Sequence, residues 1–406
     1  MGRKILKYLS ILLALIILVL LGLYIIPPKQ ETIEYDYAEI ERNPLVNSKI
    51  GWYEAKYGKN YQITWGAKQG LQLNLFDFDR DNIKSLRLKK IKENEYDTNN
   101  DPNTVEVRFK FNAENTSWNI DVNTSKTKLQ AIKRDSLFYD QEEIEFYNGA
   151  QRLAGLLLTP YKNTKSVALV LIHGSGISDR DNFWYMHQAH YLASNGFIVL
   201  LPDKRGCGKS NGEWHTASFD DFASDISSAL NYLLTNKQSE FNRMGVIGLS
   251  QGGWISHIVN QNNKDLDFVI DVVASTTSPN EQVKFEVMNE IKNSGVPEFI
   301  ANPLSLVFAK RAQGKRRIWW DKNGEFDPIP LISKTTTPVL KIFADQDENV
   351  PVQRSLERLN ELLKNNPDLP VDVKIFKGSS HALFDSETNW IRRDYLDYLI
   401  FWISKI

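Results

Sequence analysis

Behind Arg3, Lys4 and Lys7 the chain runs for nineteen residues without a charge, Tyr8 to Ile26. As a helix that run would span about 30 Å, the thickness of one bilayer core. Pro27 and Pro28 would end it, and an acidic stretch from Glu31 to Glu41 follows. Basic residues ahead of an apolar helix orient its N-terminus toward the cytoplasm. Residues 1–30 are therefore expected to form an N-terminal membrane anchor. The membrane would be a partner through that helix, and the rest of the chain would lie on the extracytoplasmic side, periplasmic or extracellular. The alternative is secretion after signal cleavage. Against it stand the length of the run and the lack of a small-x-small cleavage site.

Residues 31–138 read as a β-rich accessory domain. Short alternating stretches recur at Tyr61–Trp65, Leu71–Phe76, Ser85–Leu88, Thr104–Phe111 and Ser117–Val122, separated by turn-rich pieces such as Asn99-Asn100-Asp101-Pro102-Asn103. They contain no catalytic constellation, and Lys89, Lys90 and Lys92 read as a solvated face.

Residues 139–406 read as an α/β domain. Asn148-Gly149 between Glu143–Tyr147 and Leu153–Thr159 is a hairpin signal. Beyond it, apolar strands at 166–172, 197–201, 244–249, 268–273, 339–343 and 371–376 alternate with helical stretches near 182–194, 219–235, 251–262, 352–364 and 387–403. Continuous apolar runs suit strands buried on both faces of a mostly parallel sheet flanked by helices. At 279–335 the alternation breaks into a partly helical insertion, a candidate lid. It holds Phe285, Ile291, Phe299, Leu304, Phe308, Trp319 and Trp320, which are read as covering a substrate pocket. Lys310, Arg311, Lys315, Arg316 and Arg317 are expected on its wet face.

Composition narrows the function. The chain has 406 residues, 42% of them hydrophobic, and a formal net charge of −1. That is core enough for folded domains and no electrostatic case for nucleic acid. One cysteine, Cys207, excludes an intrachain disulfide and a multi-cysteine metal site.

Chemistry enters at Gly248-Leu249-Ser250-Gln251-Gly252, a G-x-S-x-G after an apolar strand and before a helix. A serine at such a turn is held clear of its own backbone, and the amide of Gln251 at the helix start could stabilise an oxyanion. A hydroxyl nucleophile needs a base. Of six histidines, only His381 follows a late strand in a loop. His173-Gly174-Ser175-Gly176 ends an earlier strand, and the amide of Ser175 or Gly176 could complete an oxyanion hole. Asp179-Arg180-Asp181 reads as an ion-pair knot, and Asp203-Lys204-Arg205-Gly206 as a tight loop. Asp345 and Asp347 both follow the strand at 339–343, and either could face His381.

The stretches HGSGISDRD (173–181), LPDKRGCGKSNG (201–212), GLSQGG (248–253), FADQDENVP (343–351) and SHALF (380–384) resemble α/β-hydrolase serine esterases, dienelactone-hydrolase-like and of the bacterial esterase D type. The resemblance spans about residues 140–406. It implies the α/β-hydrolase fold, hydrolysis of a small-molecule carboxylic ester through an acyl-enzyme, and no cofactor or metal. It also implies a triad of Ser250, Asp347 and His381, with oxyanion amides at Ser175 and Gln251. Leu249 and Ala344 depart from the histidine and glycine common in relatives. The rival activities on this fold are peptidase or acyl-peptide hydrolase, and thioesterase. A non-catalytic surface-binding protein is the alternative of another class.

Overall fold

A computed structural model of the protein describes residues 8, 11, 15, 18–29, 44–56, 60–66, 70–75, 86–98, 104–114, 116–124, 127–134, 138–384 and 391–406. Strands β1 (Gly51–Ala55), β2 (Asn60–Gly66), β3 (Gly70–Leu75), β4 (Leu86–Arg87), β5 (Lys89–Lys92), β6 (Glu95–Asp97), β7 (Glu106–Asn112), β8 (Ser117–Asn123) and β9 (Lys128–Arg134) form one sheet. Its order is β4-β3-β2-β1-β9-β8-β7-β6-β5. In β7 and β8 alternate residues such as Val107, Phe109, Ile120 and Val122 are buried, the two-residue period of a sheet with one face on a core, whereas β2 is buried on both faces from Asn60 to Thr64.

A second sheet holds β10 (Tyr139–Asn148), β11 (Gln151–Pro160), β12 (Val167–Ile172), β13 (Ile198–Pro202), β14 (Arg243–Leu249), β15 (Phe268–Val272), β16 (Val339–Ala344) and β17 (Val371–Phe376). The order is β10-β11-β13-β12-β14-β15-β16-β17. Counted alone, these strands run 1-2-4-3-5-6-7-8. β11 is antiparallel to both β10 and β13, and every pair from β13 through β17 is parallel. This is the α/β-hydrolase arrangement. Every residue of β12, β13, β15 and β16 is buried, as strands covered on both faces require.

Helix α1 (Pro44–Asn47) precedes β1. α2 (Phe183–Ser194) and α10 (Arg393–Lys405) share one core with the sheet; α3 (Phe219–Asn236) and α4 (Gln251–Asn262) share another. Trp52 of β1 joins the sheets: its ring stacks on His190 of α2, centroids 4.5 Å apart, and its indole N–H reaches Gln141 Oε1 at 3.4 Å. Between β15 and β16 lie α5 (Pro279–Asn293), α6 (Glu298–Lys315), α7 (Arg317–Asn323) and α8 (Ile329–Ile332), followed after β16 by α9 (Val352–Asn365). The insertion at 279–335 is thus four helices. Its charge run is not a uniformly wet face: Arg316 sits 5.2 Å over the Trp214 ring, and Arg311 Nη1 donates to the carbonyls of Leu23 and Ile26 at 2.9 and 3.2 Å.

Those last contacts bear on the N-terminal expectation. No helix among the described residues is long and apolar enough to cross a membrane. Residues 18–25 are helical, and residues 9–10, 12–14 and 16–17 of the apolar run lie outside the described set. The carbonyls at the end of the run accept from a charged arginine, and Lys310 Nζ lies 3.7 Å from the Tyr24 ring centroid. The membrane anchor, the membrane as partner and the extracytoplasmic assignment are corrected accordingly. The apolar stretch is packed on α6 by cationic side chains, a feature hydropathy along the chain does not encode. The cleaved-signal alternative turned on the length of the run and on a cleavage site after it; much of that run, and residues 30–43 behind it, are outside the described set.

Candidate active site

Ser250 stands between the last residue of β14 and the first of α4, with φ 55° and ψ −122°. A non-glycine residue in that region is strained and persists only where its surroundings enforce it. The two neighbouring glycines make room. A Cβ on Gly248 would lie 2.2 Å from the carbonyl oxygen of Gly252, and one on Gly252 would lie 2.2 Å from that of Ile172. Strand, helix and glycine pair together thus force the serine hydroxyl out of the fold at the C-terminal edge of the sheet.

His381 arrives on the loop after β17. Its Nε2 is 3.1 Å from Ser250 Oγ, and its Nδ1 is 2.8 Å from Asp347 Oδ2 and 3.0 Å from Oδ1. Asp347 is held in turn by the amides of Asn349 and Val350, each 2.8 Å from Oδ1. The carboxylate therefore fixes Nδ1 as a donor and leaves Nε2 to accept from the serine. Asp345 turns elsewhere: its Oδ1 accepts from the amides of Gly378 and Ser379 at 2.7 and 3.4 Å, bracing the histidine loop. Burial would lower the His381 pKa. The Asp347 carboxylate opposes it, Glu286 and Glu348 add to that, and the net pKa lies above the ordinary histidine value.

The loop after β12 supplies the facing wall. His173 Nε2 donates to the Pro202 carbonyl at 2.6 Å, so its Nδ1 accepts from Ser178 Oγ at 2.8 Å. Burial, with Lys204 nearby, drives its pKa down to about 3, and a neutral ring with both nitrogens engaged cannot serve as the base. The Gly174 amide donates to Tyr185 Oη at 2.6 Å. No backbone carbonyl among the described residues takes the amides of Ser175 or Gln251. The expected ion-pair knot is real but pairs outward: Arg180 binds Asp203 at 2.7 Å, tying this loop to the one after β13.

Ser175, Ser250 and Gln251 open on one cavity of 140 Å³, walled by Trp254, Trp319 and Trp320. A second cavity of 630 Å³ between α5 and α6 shares Val283, Glu286, Arg316 and Trp320 with the first. Of the aromatics expected over a pocket, Trp319 and Trp320 line the inner cavity and Phe308 the outer, while Phe299 is 79% exposed. Arg316, expected on the wet face, lines both cavities, and Glu286 is a cavity residue that the sequence does not single out. Glu286 is one of three acids on α5, and only the packing of α5 over the elbow brings it near His381. Burial raises its pKa. No group of three or more His, Cys, Asp or Glu side chains that could hold a metal occurs among the described residues.

Comparison with known proteins finds a family match, several relatives and similar solved structures. Residues 163–314 match a family model described as serine aminopeptidase, S33. The rat acylamino-acid-releasing enzyme is 23% identical over 257 residues, 61% of this chain and 33% of that one. Esterase EstD of Thermotoga maritima is 24% identical over 250 residues, 58% of this chain and 59% of the esterase. The bifunctional esterase/perhydrolase DCH of Acinetobacter calcoaceticus is 23% identical over 260 residues, covering 56% and 89%. The match to the acylamino-acid-releasing enzyme thus spans about a third of that protein's length. Among solved structures, a Pyrococcus furiosus esterase aligns with a TM-score of 0.48 at 18% identity, covering 66% of this chain and 89% of its own. An acylaminoacyl peptidase from Pyrococcus horikoshii aligns at 0.49 and 14%, covering 87% and 55%. With its 1-2-4-3-5-6-7-8 sheet and a serine elbow after the fifth strand, the chain has the α/β-hydrolase fold and is similar to serine esterases and acylamino-acid-releasing enzymes.

Proposed function

We propose that this hydrolase is a carboxylesterase that cleaves small-molecule esters through an acyl-enzyme. One observation carries the reading: Asp347, His381 and Ser250 form an unbroken hydrogen-bonded chain, 2.8 and 3.1 Å, ending at a cavity. In this mechanism His381 Nε2 takes the Ser250 proton as Oγ attacks the ester carbonyl carbon. The amides of Ser175 and Gln251 donate to the oxyanion. Collapse of the tetrahedral intermediate expels the alcohol, which receives the proton from His381. Water, deprotonated by the same nitrogen, then releases the acid and restores the serine. Asp347 holds the imidazole in the required tautomer and stabilises its cation.

The four-helix insertion is proposed as the lid. Its inner cavity of 140 Å³ suits a short acyl group, and longer ones would extend past Trp320 into the outer 630 Å³. A peptidase reading draws on a different observation. Glu286 and Arg316 put two ionisable groups beside Ser250, suited to a substrate with polar backbone or termini, and acylamino-acid-releasing enzymes are among the relatives.

The test is a fluorophosphonate probe followed by p-nitrophenyl esters of increasing chain length, each matched to the p-nitroanilide of the same acyl group. The esterase reading expects a single label on Ser250 and ester turnover far above anilide turnover. Anilides of N-acylated or free amino acids cleaved as efficiently as their esters would establish the peptidase. A protein that neither labels nor turns over either series would be a binding protein on a hydrolase scaffold.

A further inference from the structure

Lys204 lies two residues beyond the end of β13 and is buried, 7% exposed. Among the described residues no carboxylate lies within ion-pair distance of it. The adjacent Asp203 carboxylate is occupied by Arg180 and by the amides of Arg180 and Lys209. The ammonium donates instead to two backbone carbonyls, those of Gly174 and Gly176, the latter at 2.7 Å. The rings of Trp214 and Phe222 lie 6.0 and 5.8 Å away. An unpaired buried cation is costly, so its partners show what the cost supports.

Both carbonyls belong to the loop that faces Ser250. A Cβ on Gly174 would sit 3.2 Å from Ser250 Cβ and 3.1 Å from the Leu249 carbonyl oxygen, so this backbone abuts the elbow. In a trans peptide the C=O and the following N–H point in opposite directions. With the Gly174 carbonyl drawn to the ammonium, the Ser175 N–H is turned away from it. Ser175 lines the cavity that Ser250 opens on. Tyr185 Oη, accepting from the Gly174 amide at 2.6 Å, fixes the preceding peptide. No other backbone donor to the Gly174 carbonyl is present among the described residues.

Resting on the Ser250 reading above, we propose that Lys204 is a positioning residue for the reaction. Its ammonium clamps the Gly174 and Gly176 carbonyls, aims the Ser175 amide at the oxyanion and holds a positive charge behind that amide. A cation on the carbonyl also polarises the peptide, making its N–H a stronger donor. The charge is conditional on pH. Burial pushes the Lys204 pKa down to about 8, with Cys207 on its own loop opposing and Arg316 from the lid reinforcing. His173, the other titratable group beside it, is neutral. Cys207 is itself pushed up to about 11 by burial. The clamp is therefore charged below about pH 8 and lost above it.

The experiment measures kcat and KM for p-nitrophenyl acetate from pH 6 to 10 in the full chain, in Lys204→Met and in Lys204→Arg. Affinity for a trifluoromethyl ketone, which mimics the tetrahedral intermediate, is measured in parallel. Removing an oxyanion donor outright costs about a hundredfold or more; misaiming one is expected to cost about 10- to 100-fold in kcat, with KM within about threefold. The ketone should weaken by the same factor. The wild-type kcat should decline above about pH 8, the Met variant should lose that limb, and the Arg variant should keep most of the rate and move the limb upward. A Met variant within about threefold of wild-type kcat overturns the proposal, as does a rate loss shared equally by KM or matched by a loss of folded protein. If the Met variant does not fold, the Arg variant decides: a kcat limb unchanged from wild type overturns it. Fluorophosphonate labelling separates the two readings, because a Ser250→Ala variant that still labels removes the site itself.

Discussion

Two histidine–aspartate pairs are packed around the same sheet, and one of them reaches a cavity through Ser250. His381 Nδ1 meets Asp347 at 2.8 Å at the C-terminal edge of the strands. His257 Nε2 donates to Asp271 at 2.9 Å in the interior, where Lys341 binds the same carboxylate oxygen. His257, Asp271 and Lys341 are 2%, 0% and 0% exposed. Their chemistry diverges with their surroundings. Burial and the Lys341 ammonium outweigh Asp271 and lower the His257 pKa, whereas Asp347, Glu286 and Glu348 outweigh burial and raise that of His381. A histidine–carboxylate pair is therefore not a site by itself. It becomes one where the second ring nitrogen reaches a hydroxyl beside open space, as at Ser250, and a fastener where a lysine closes the carboxylate.

The comparison is most sharply tested at the reacting residues. Ser250→Ala or His381→Ala should lower kcat by about four to six orders of magnitude with little change in melting temperature, while His257→Gln should keep its rate per folded molecule. Steady-state kinetics beside thermal denaturation checks both. An active Ser250→Ala enzyme would break the assignment.

Next come the two acids. Asp347→Asn should keep the fold and lower kcat by about a thousandfold or more, because the wrong tautomer is held. Asp271→Asn should do the reverse. It strands the buried Lys341 ammonium, costing about 3–5 kcal/mol of stability, with kcat per folded molecule little changed. Denaturant titration with active-site counting separates the two, and equal losses of activity in both would erase the distinction.

The sequence made these pairs unequally visible. Ser250 and His381 could be located because the parallel strands are continuous apolar runs, which fix where β14 and β17 end and hence which loops reach the C-terminal edge. Lys341 interrupts one such run, and its partner sits one strand over through the register Asp271↔Lys341, a pairing that one sequence does not carry. The accessory sheet was half legible for a related reason. Its stretches at 61–65, 71–76, 85–88, 104–111 and 117–122 alternate clearly, but β9 buries only Ala131 and β5 buries nothing, so a strand there resembles a solvated loop. The apolar run at the N-terminus misled because hydropathy cannot register Arg311 bonded to its carbonyls.

A smaller effect concerns pH. In the proposed mechanism His381 is a base only when neutral, so activity should fall as pH drops through its raised pKa. The acid limb of kcat/KM should therefore lie above the ordinary histidine value of about 6.5. Glu286→Gln removes one of the charges that raise it and should move the midpoint downward, toward acid. His257, whose pKa is lowered, should contribute no limb there. A midpoint at or below 6 in the wild-type enzyme would contradict the environment described for His381.

The smallest expected effect belongs to Asp345. It lies two residues from Asp347 and starts from the same strand end, yet its carboxylate accepts from the amides of Gly378 and Ser379 and not from the imidazole. Those amides belong to the loop that delivers His381, so the bond acts on the base through the backbone. A hydrogen bond to a charged group is worth about 1.5–3 kcal/mol, but this one is in reach of water and the asparagine amide oxygen can still accept. Asp345→Asn should therefore lower kcat by no more than about tenfold. The loss should appear as a looser His381 loop, measurable as faster amide exchange at Gly378 and Ser379, with Asp347 still oriented. Asp347→Asn should give the opposite pattern, with the loop protected and turnover gone. If Asp345→Asn matched the thousandfold loss expected of Asp347→Asn, the orienting acid would be Asp345, and the contrast between the facing pair and the buried pair would have to be redrawn around it.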